Sequence, residues 1–413
     1  MTAHWTEYDP SHFRMTTGDD LFDVHDHFTR WRRDAEPEGY NLYLQSLASA
    51  PTPSVRLERN GTDLFNLASY NYLGLSHRPE VIAAAQEGLA RYGLGAAGSP
   101  TLSGLLDIHK DLETAIAAHK GVDDAILFPS GYSANIGIIS ALVSPGDSVI
   151  ADISSHASIF DGCQFAQARL SLFRHNDMSN LKKRLETVQG RKLVIVEGVY
   201  SMDGDIAPLD KVAELCRQYG ARLMVDEAHS AFIYGEKGRG LAEHFCIEDQ
   251  VDVHFGTLSK SLGGMGGYAA GSSSLIYYLR SYARSQMFSC ALAPPLVTGV
   301  SEALRIAIAE PELRTKLWHN VAVMRETLLE LNVDIGTSTS QVIPIMVRND
   351  KIIFEITRAL EAAGVYLNPI LFPAVKQKQS RFRVSVSAAH DPDQLRTAAQ
   401  LIAQVLKTHK VIK

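Results

Sequence analysis

The feature that most limits the fold is a recurring order of short apolar run, small or polar loop and amphipathic segment, established from about Ile126 onward. DSVIAD, KLVIVEG, RLMVDEAH and VDVHFG are the clearest runs, and each ends in polar residues. Between two of them, PLDKVAELCRQYG puts Leu209, Val212, Ala213 and Cys216 on one helical face and stops at Gly220, a residue suited to the left-handed turn after a helix. Near-continuous apolar strands alternating with helices predict an α/β fold whose mainly parallel sheet is covered on both faces. In such sheets the chemistry collects at the carboxyl ends of the strands.

With 413 residues the chain exceeds one ordinary core, so two domains are expected. Residues 1–60 lack sustained periodicity and end in the turn-rich SAPTPS and RNGTD, which predicts an N-terminal arm. Residues 61–295 would form the large domain. After PPLVTGV the pattern is helical to about Leu331, and then strand and helix alternate in QVIPIMV, IIFEITRALEAAG, RFRVSVSAA and DQLRTAAQLIAQVLK. Residues 296–413 are therefore expected as a smaller C-terminal α/β domain.

Hydrophobic residues at 46% and charged residues at 21% match a soluble globular chain, and a net charge of -6 argues against a nucleic-acid binder, which needs a clustered basic surface. Cys163, Cys216, Cys246 and Cys290 form no C-x-x-C pair, so neither a metal site nor a disulfide framework is expected. The polar, acidic N-terminus has no signal-like apolar core, and no segment approaches the roughly 18 continuous apolar residues of a membrane span. A cytoplasmic protein is the expectation.

The stretch GTLSKSLGGMGGY sets Lys260 among glycines and hydroxyl residues. It is not a P-loop, because Ser259 precedes the lysine, and it lacks the third glycine of a dinucleotide fingerprint. By itself it also fits a flexible loop with an exposed lysine. In RLMVDEAHS, Asp226 follows three apolar residues at a strand end, with His229 three positions on. A carboxylate there must be paired or hydrogen-bonded, either as a helix cap or as the counter-ion of a buried cation. PSGYSANIGIISAL places Ser130 and Gly131 before a helix whose free N–H groups would hold an anion, though an ordinary strand-to-helix turn reads the same way. DISSHASIFDG adds His156 among small residues that would let a flat ligand approach. Together these pieces describe a cationic ring needing an acid partner, a phosphate needing a helix N-terminus, and an electrophilic carbon needing an amine. Pyridoxal 5′-phosphate (PLP) has all three.

From about Phe65 to the C-terminus the sequence resembles the α-oxoamine synthases, fold-type-I PLP-dependent transferases. The resemblance is carried by NYLGL, the H-x-x-LE of IHKDLE, PSGYSAN, DISSHASIFDG, VEGVYSMDGDIAPL, VDEAHS, GTLSKSLGGMGGY and RVSVSAAH. It implies that Lys260 forms the internal Schiff base, that Asp226 pairs with the pyridinium nitrogen and that His156 stacks on the ring. His229 and Ser201 would approach the phenolic oxygen, and Gly131, Tyr132 and Thr257 would hold the phosphate. Asn71 would lie near the substrate, and Arg383 would bind the amino-acid carboxylate as a fork, with Arg381 as runner-up. A protonated His156 would hydrogen-bond the carboxylate or thioester oxygen.

The implied reaction is a decarboxylative condensation of glycine, alanine or serine with an acyl thioester on coenzyme A or an acyl carrier protein. A homodimer with active sites at the subunit interface is part of the same implication. An aminotransferase on the same fold and a non-catalytic partner subunit are the alternatives. Two departures fall on the acyl-donor side: Gly98-Ser99-Pro100 where relatives often have Gly-Ser-Arg, and Lys376 in place of a proline. Ser259-Lys260-Ser261 resembles the serine palmitoyltransferase branch more than the G-K-A or G-K-S of the other members.

Overall fold

The computed structural model describes residues 44–372 and 374–413, together with residues 20, 22, 23, 25, 26, 28 and 29. The chain packs as two units. The larger is formed by Tyr70–Ser201 and Asp205–Trp318, the smaller by the described residues up to Ser69, by Met202–Gly204 and by His319–Lys413.

The apolar runs of the larger unit form one seven-stranded sheet. Its strands are β1 (Asp124–Phe128), β2 (Ser148–Asp152), β3 (Arg169–Phe173), β4 (Lys192–Glu197), β5 (Arg222–Asp226), β6 (Val253–Thr257) and β7 (Gly267–Gly271), in the order β1-β7-β6-β5-β4-β2-β3. Strands β2 to β6 run parallel, and β7 lies antiparallel between β6 and β1. The four runs read from the sequence are β2, β4, β5 and β6.

Both faces of the sheet are apolar because the central strands are apolar at consecutive positions, so the side chains that alternate between the two faces are buried on each. Val149, Ala151, Leu193, Ile195, Met224 and Phe255 join one core with Ile138 and Ile139 of helix Gly131–Leu142 and Ile159 of helix Ala157–Phe165. Ile150, Val194, Val196, Leu223 and Val225, the alternate set, are equally buried. Each such side chain contributes about 1.5–3 kcal/mol by leaving water. Helix Leu209–Gln218 buries Leu209, Val212, Ala213 and Cys216 and packs on β5. It ends as its sequence requires: Gly220 takes φ 61°, and the Ala221 N–H reaches the Cys216 carbonyl at 2.9 Å.

Strand β7, GYAAG, was not legible as a strand. Its small residues suit close backbone approach: the Tyr268 ring lies where a Cβ on Gly256 would stand, 2.4 Å away, and a Cβ on Gly267 would come within 2.8 Å of the Gly131 Cα. The larger unit continues past residue 295 to Trp318, since helix Pro294–Ala309 packs along helix Pro79–Tyr92.

In the smaller unit, Ser54–Arg56 and Asp63–Asn66 form a hairpin that Val365–Tyr366 joins in parallel. The turn-rich segment before residue 60 thus supplies a strand, and residues 1–43 of the expected arm fall outside the described residues apart from those few named above. A second sheet pairs Arg381–Ser385 antiparallel with both Val342–Met346 and Pro369–Ile370. Helices Ile353–Ala362 and Pro392–Thr408 complete the α/β pattern expected from the C-terminal sequence. Among the described residues no helix is long and apolar enough to cross a membrane.

Candidate active site

The last residues of β4, β5 and β6 are Glu197, Asp226 and Thr257, all buried, and the loops that follow carry the remaining candidates of the larger unit apart from Gly131, Tyr132, Asn71 and His156. Lys260 lies three residues beyond β6. Its Nζ is 2.9 Å from His229 Nε2, and His229 Nδ1 is 2.8 Å from the Tyr72 hydroxyl. Lys260 is half-buried as a residue, with protein packed densely around its amine. Burial pushes the amine down to about 8, with Asp226 and Glu197 pulling the other way. Burial, the Lys260 charge and the nearby His156 hold His229 well below the usual histidine range, so its ring is neutral.

Asp226 accepts from Asn135 Nδ2 at 3.0 Å and from the Ala228 N–H at 2.9 Å. Asn135 Nδ2 also reaches Ser158 Oγ at 2.9 Å, and Ser158 Oγ lies 2.8 Å from His156 Nδ1. Because the Ser158 backbone N–H donates to the same Nδ1, that nitrogen is an acceptor, which leaves the His156 proton on Nε2. Although His156 exposes much of its surface, the protein crowded around its ring pushes the imidazole below its ordinary value. Its exposed ring offers a face for a flat ligand. Glu197 stands opposite Asp226 in the sheet register. Burial and then the Asp226 charge push its carboxyl well up, opposed by Lys260 and by the nearby backbone N–H groups of His156 and Ser201.

Ser130 caps helix Gly131–Leu142: its Oγ accepts from the Ser133 N–H at 3.0 Å, and its N–H bonds Ser133 Oγ at 3.0 Å. The first-turn N–H groups of Gly131 and Tyr132 have no intrahelical acceptor. A Cβ on Gly131 would meet Thr257 Cβ and Oγ1 at 3.2 Å, so glycine keeps the helix start open beside the Thr257 hydroxyl. That hydroxyl donates to the Gly266 carbonyl at 2.9 Å and lies 2.8 Å from Ser259 Oγ. Tyr132 is exposed, its hydroxyl bonds Asp161, and its ring meets that of His156 edge-on at 6.4 Å.

Asn71 bonds Ser76 Oγ through Nδ2 at 2.8 Å, closing its own turn. That turn abuts the Lys260 loop, because Gly263, at φ 68°, would place a Cβ 2.6 Å from the Ser76 backbone nitrogen. Arg383 belongs to the smaller unit, where burial pushes its guanidinium down to about 10. On the same strand Arg381 is committed to Asp203 at 2.6 Å and to the Met202 carbonyl at 3.1 Å. Lys376 is exposed, and Pro100 lines a pocket with Leu105, His109 and Gln286.

The larger unit thus brings Lys260, Asp226, His229, His156, Ser201, Gly131 and Thr257 to one edge of its sheet. The sequence reading missed Tyr72, Asn135, Ser158 and Glu197. All four lie inside motifs it quoted, but nothing in their spacing marks them as partners of the others. The donor set fits PLP: a buried amine that discharges easily, a carboxylate fixed by two N–H donors, and a glycine-opened helix start beside a hydroxyl.

A sequence profile described as aminotransferase class I and II matches residues 62–402, which defines the broad class of the fold and site. A serine palmitoyltransferase of Sphingobacterium spiritivorum is 38% identical over 380 residues, 92% of this chain and 95% of that protein. An 8-amino-7-oxononanoate synthase of Citrifermentans bemidjiense is 41% identical over 362 residues, 86% of this chain and 92% of its own. The structure of a serine palmitoyltransferase from S. paucimobilis with bound PLP and myriocin superposes with a TM-score of 0.91 at 34% identity, covering 95% of this chain and 100% of that one. The chain therefore belongs to the α-oxoamine synthases of the aminotransferase class I and II family, PLP-dependent enzymes that condense an amino acid with an acyl thioester.

Proposed function

We propose that this synthase joins a small amino acid, serine ahead of glycine and alanine, to a fatty acyl thioester, releasing carbon dioxide and free thiol and leaving an α-amino ketone. The observation that carries the chemistry is the cluster of Lys260, His229 and Asp226, in which a buried amine is pushed to about 8 beside a fixed carboxylate. The preference for serine is supported by the serine palmitoyltransferase structure, whose TM-score of 0.91 compares with 0.74 for an 8-amino-7-oxononanoate synthase of Francisella tularensis at 26% identity.

Lys260 would take the aldehyde carbon of PLP, Asp226 would face the ring nitrogen, and His156 would lie on the ring. His229 and Ser201 would face the phenolic oxygen, while Gly131 and Tyr132 N–H groups and the Thr257 hydroxyl would hold the phosphate. Bound there, the cofactor supplies an electron sink for the α-carbon of the amino acid. Freed when the amino group of the substrate takes its place on that carbon, Lys260 Nζ would be substantially neutral near pH 8 and would take the α-proton. Tyr72 and His229 aim that nitrogen through contacts of 2.8 and 2.9 Å. The Nε2–H of neutral His156 donates to the substrate carboxylate or thioester oxygen, without the protonated ring the resemblance implied. Asn71 lies near the substrate. Arg383 binds the amino-acid carboxylate, a role supported by the commitment of Arg381 to Asp203.

A homodimer working in the cytoplasm completes this reading. Leu94, Leu102 and Phe288, which are large apolar side chains at 80%, 87% and 72% exposure, support a partner surface, and light scattering in solution tests it. The catalytic reading is tested by following carbon dioxide and thiol release with serine, glycine and alanine against acyl donors of increasing length, on coenzyme A and on a carrier protein. Amino transfer without thiol release would establish the aminotransferase alternative. No cofactor fixed on Lys260 by borohydride would establish the non-catalytic one.

A further inference from the structure

Outside the residues assigned to the cofactor, one dipeptide reaches both loops that approach the ring position. His175 follows β3 and has a carboxylate on each side of its imidazole: Nδ1 lies 3.0 Å from Asp152 Oδ1, and Nε2 lies 2.9 Å from Asp205 Oδ2. A neutral imidazole owns one N–H, so one carboxylate would face a lone pair; two carboxylates at these distances require both nitrogens to be protonated. Asp152 is fully buried at the end of β2, and Asp205 is largely buried, so neither carboxylate has water as an easy substitute.

The next residue repeats the connection. The Asn176 N–H donates to Asp152 Oδ2 at 2.8 Å, and its Nδ2 donates to Asp205 Oδ2 at 3.0 Å and to the Ile206 carbonyl at 3.1 Å. From Asp152 the chain runs through Ser154, whose N–H bonds Asp152 Oδ1 at 2.8 Å, to His156. Asp205 takes the Tyr200 N–H on its carbonyl at 3.0 Å, next to Ser201. The two loops come together again at the end of β4, where the Glu197 carboxyl lies near the backbone N–H groups of both His156 and Ser201.

We propose that His175, held as an imidazolium between Asp152 and Asp205, is a positioning residue of the active site that fixes the spacing between the loop of His156 and the loop of Ser201. Burial alone would discharge the ring, but the hydrogen bonds to Asp152 and Asp205 outweigh it and raise His175 to about 10. The Tyr200 ring meets it edge-on at 4.5 Å, and its charged neighbours Arg174 and Asp177 pair with each other at 2.7 Å. The clasp stands on contacts within this chain. Its consequence at the cofactor rests on the roles given above to His156 and Ser201.

Nitrogen NMR of the holoenzyme labelled at histidine tests the charge directly. Both His175 ring nitrogens are expected to keep imidazolium shifts from about pH 5.5 to about pH 8.5, and titration near the ordinary value of about 6.5 would overturn the proposal. In His175→Gln holoenzyme, amide exchange in residues 153–156 and 199–206 should rise at least about tenfold, and the cofactor dissociation constant should rise by a similar factor, about the loss of one charge-assisted bond. His175→Arg, which keeps a cation, should recover part of both. Wild-type exchange in both loops of His175→Gln would overturn the clasp. Raised exchange with unchanged cofactor affinity and absorbance would support the clasp and overturn the roles given to His156 and Ser201.

Discussion

Lys260 and His175 are both cations beside two carboxylates near the carboxyl edge of one sheet, yet they go opposite ways. Asp226 and Glu197 act on Lys260 through space, and burial wins, pushing the amine down to about 8. Asp152 and Asp205 touch the His175 nitrogens at 3.0 and 2.9 Å, and contact wins, raising the ring to about 10. Two carboxylates near a cation therefore do not by themselves preserve its charge. What decides is whether they make hydrogen bonds that offset the desolvation. The site needs both outcomes, an amine free to give up its proton and a fixed charge that holds loops in place.

The comparison can be broken first at Lys260. Lys260→Ala should lower turnover by about 10³-fold or more, measured as thiol release. A variant that keeps a tenth of wild-type activity would show that discharging this amine is not required. Asp226→Asn comes next: turnover should fall about 10²-fold while absorbance shows the cofactor still bound. The same change removes the main group pulling Lys260 upward, so the pH at which the lysine becomes reactive to an amine reagent should fall.

His175→Gln sharpens the other side. The folded value of His175 lies above the unfolded value of about 6.5, so its stabilisation is complete below that pH and is lost as pH rises through about 10. Urea unfolding should show the variant less stable by about 2 kcal/mol below neutral pH, with the gap closing toward pH 10. A constant gap would mean that the bridge does not depend on charge. The smallest effect is expected for Tyr72→Phe, which removes the 2.8 Å contact to His229 but keeps the ring. Loss of one such bond predicts roughly a three- to tenfold drop in turnover with unchanged thermal stability.

Much of the fold was legible because strands β2, β4, β5 and β6 are apolar runs ending in polar residues, a pattern that survives without tertiary knowledge. GYAAG was not, since a strand chosen for small size between Gly256 and Gly131 has no apolar period to read. Lys260, Asp226 and His229 stood out as groups that would be costly inside a protein without partners. Asn135 and Ser158 did not, because each is an ordinary helix residue until the fold sets it within 2.9 Å of the other. His175 lay outside every quoted motif, and its two carboxylates are 23 and 30 residues away along the chain.

The pairing of Asp226 with Glu197 on one side and Phe255 on the other has a further consequence. A strand that is apolar on both faces gains little information from burial about which way its side chains should point, so β5 shifted by one residue could still bury Met224 and Val225. Such a shift would move Asp226 off its mark and silence the protein without unfolding it. Turnover per folded molecule, compared before and after refolding, is therefore a ruler for strand alignment in this sheet, sensitive to errors that helix content would never reveal.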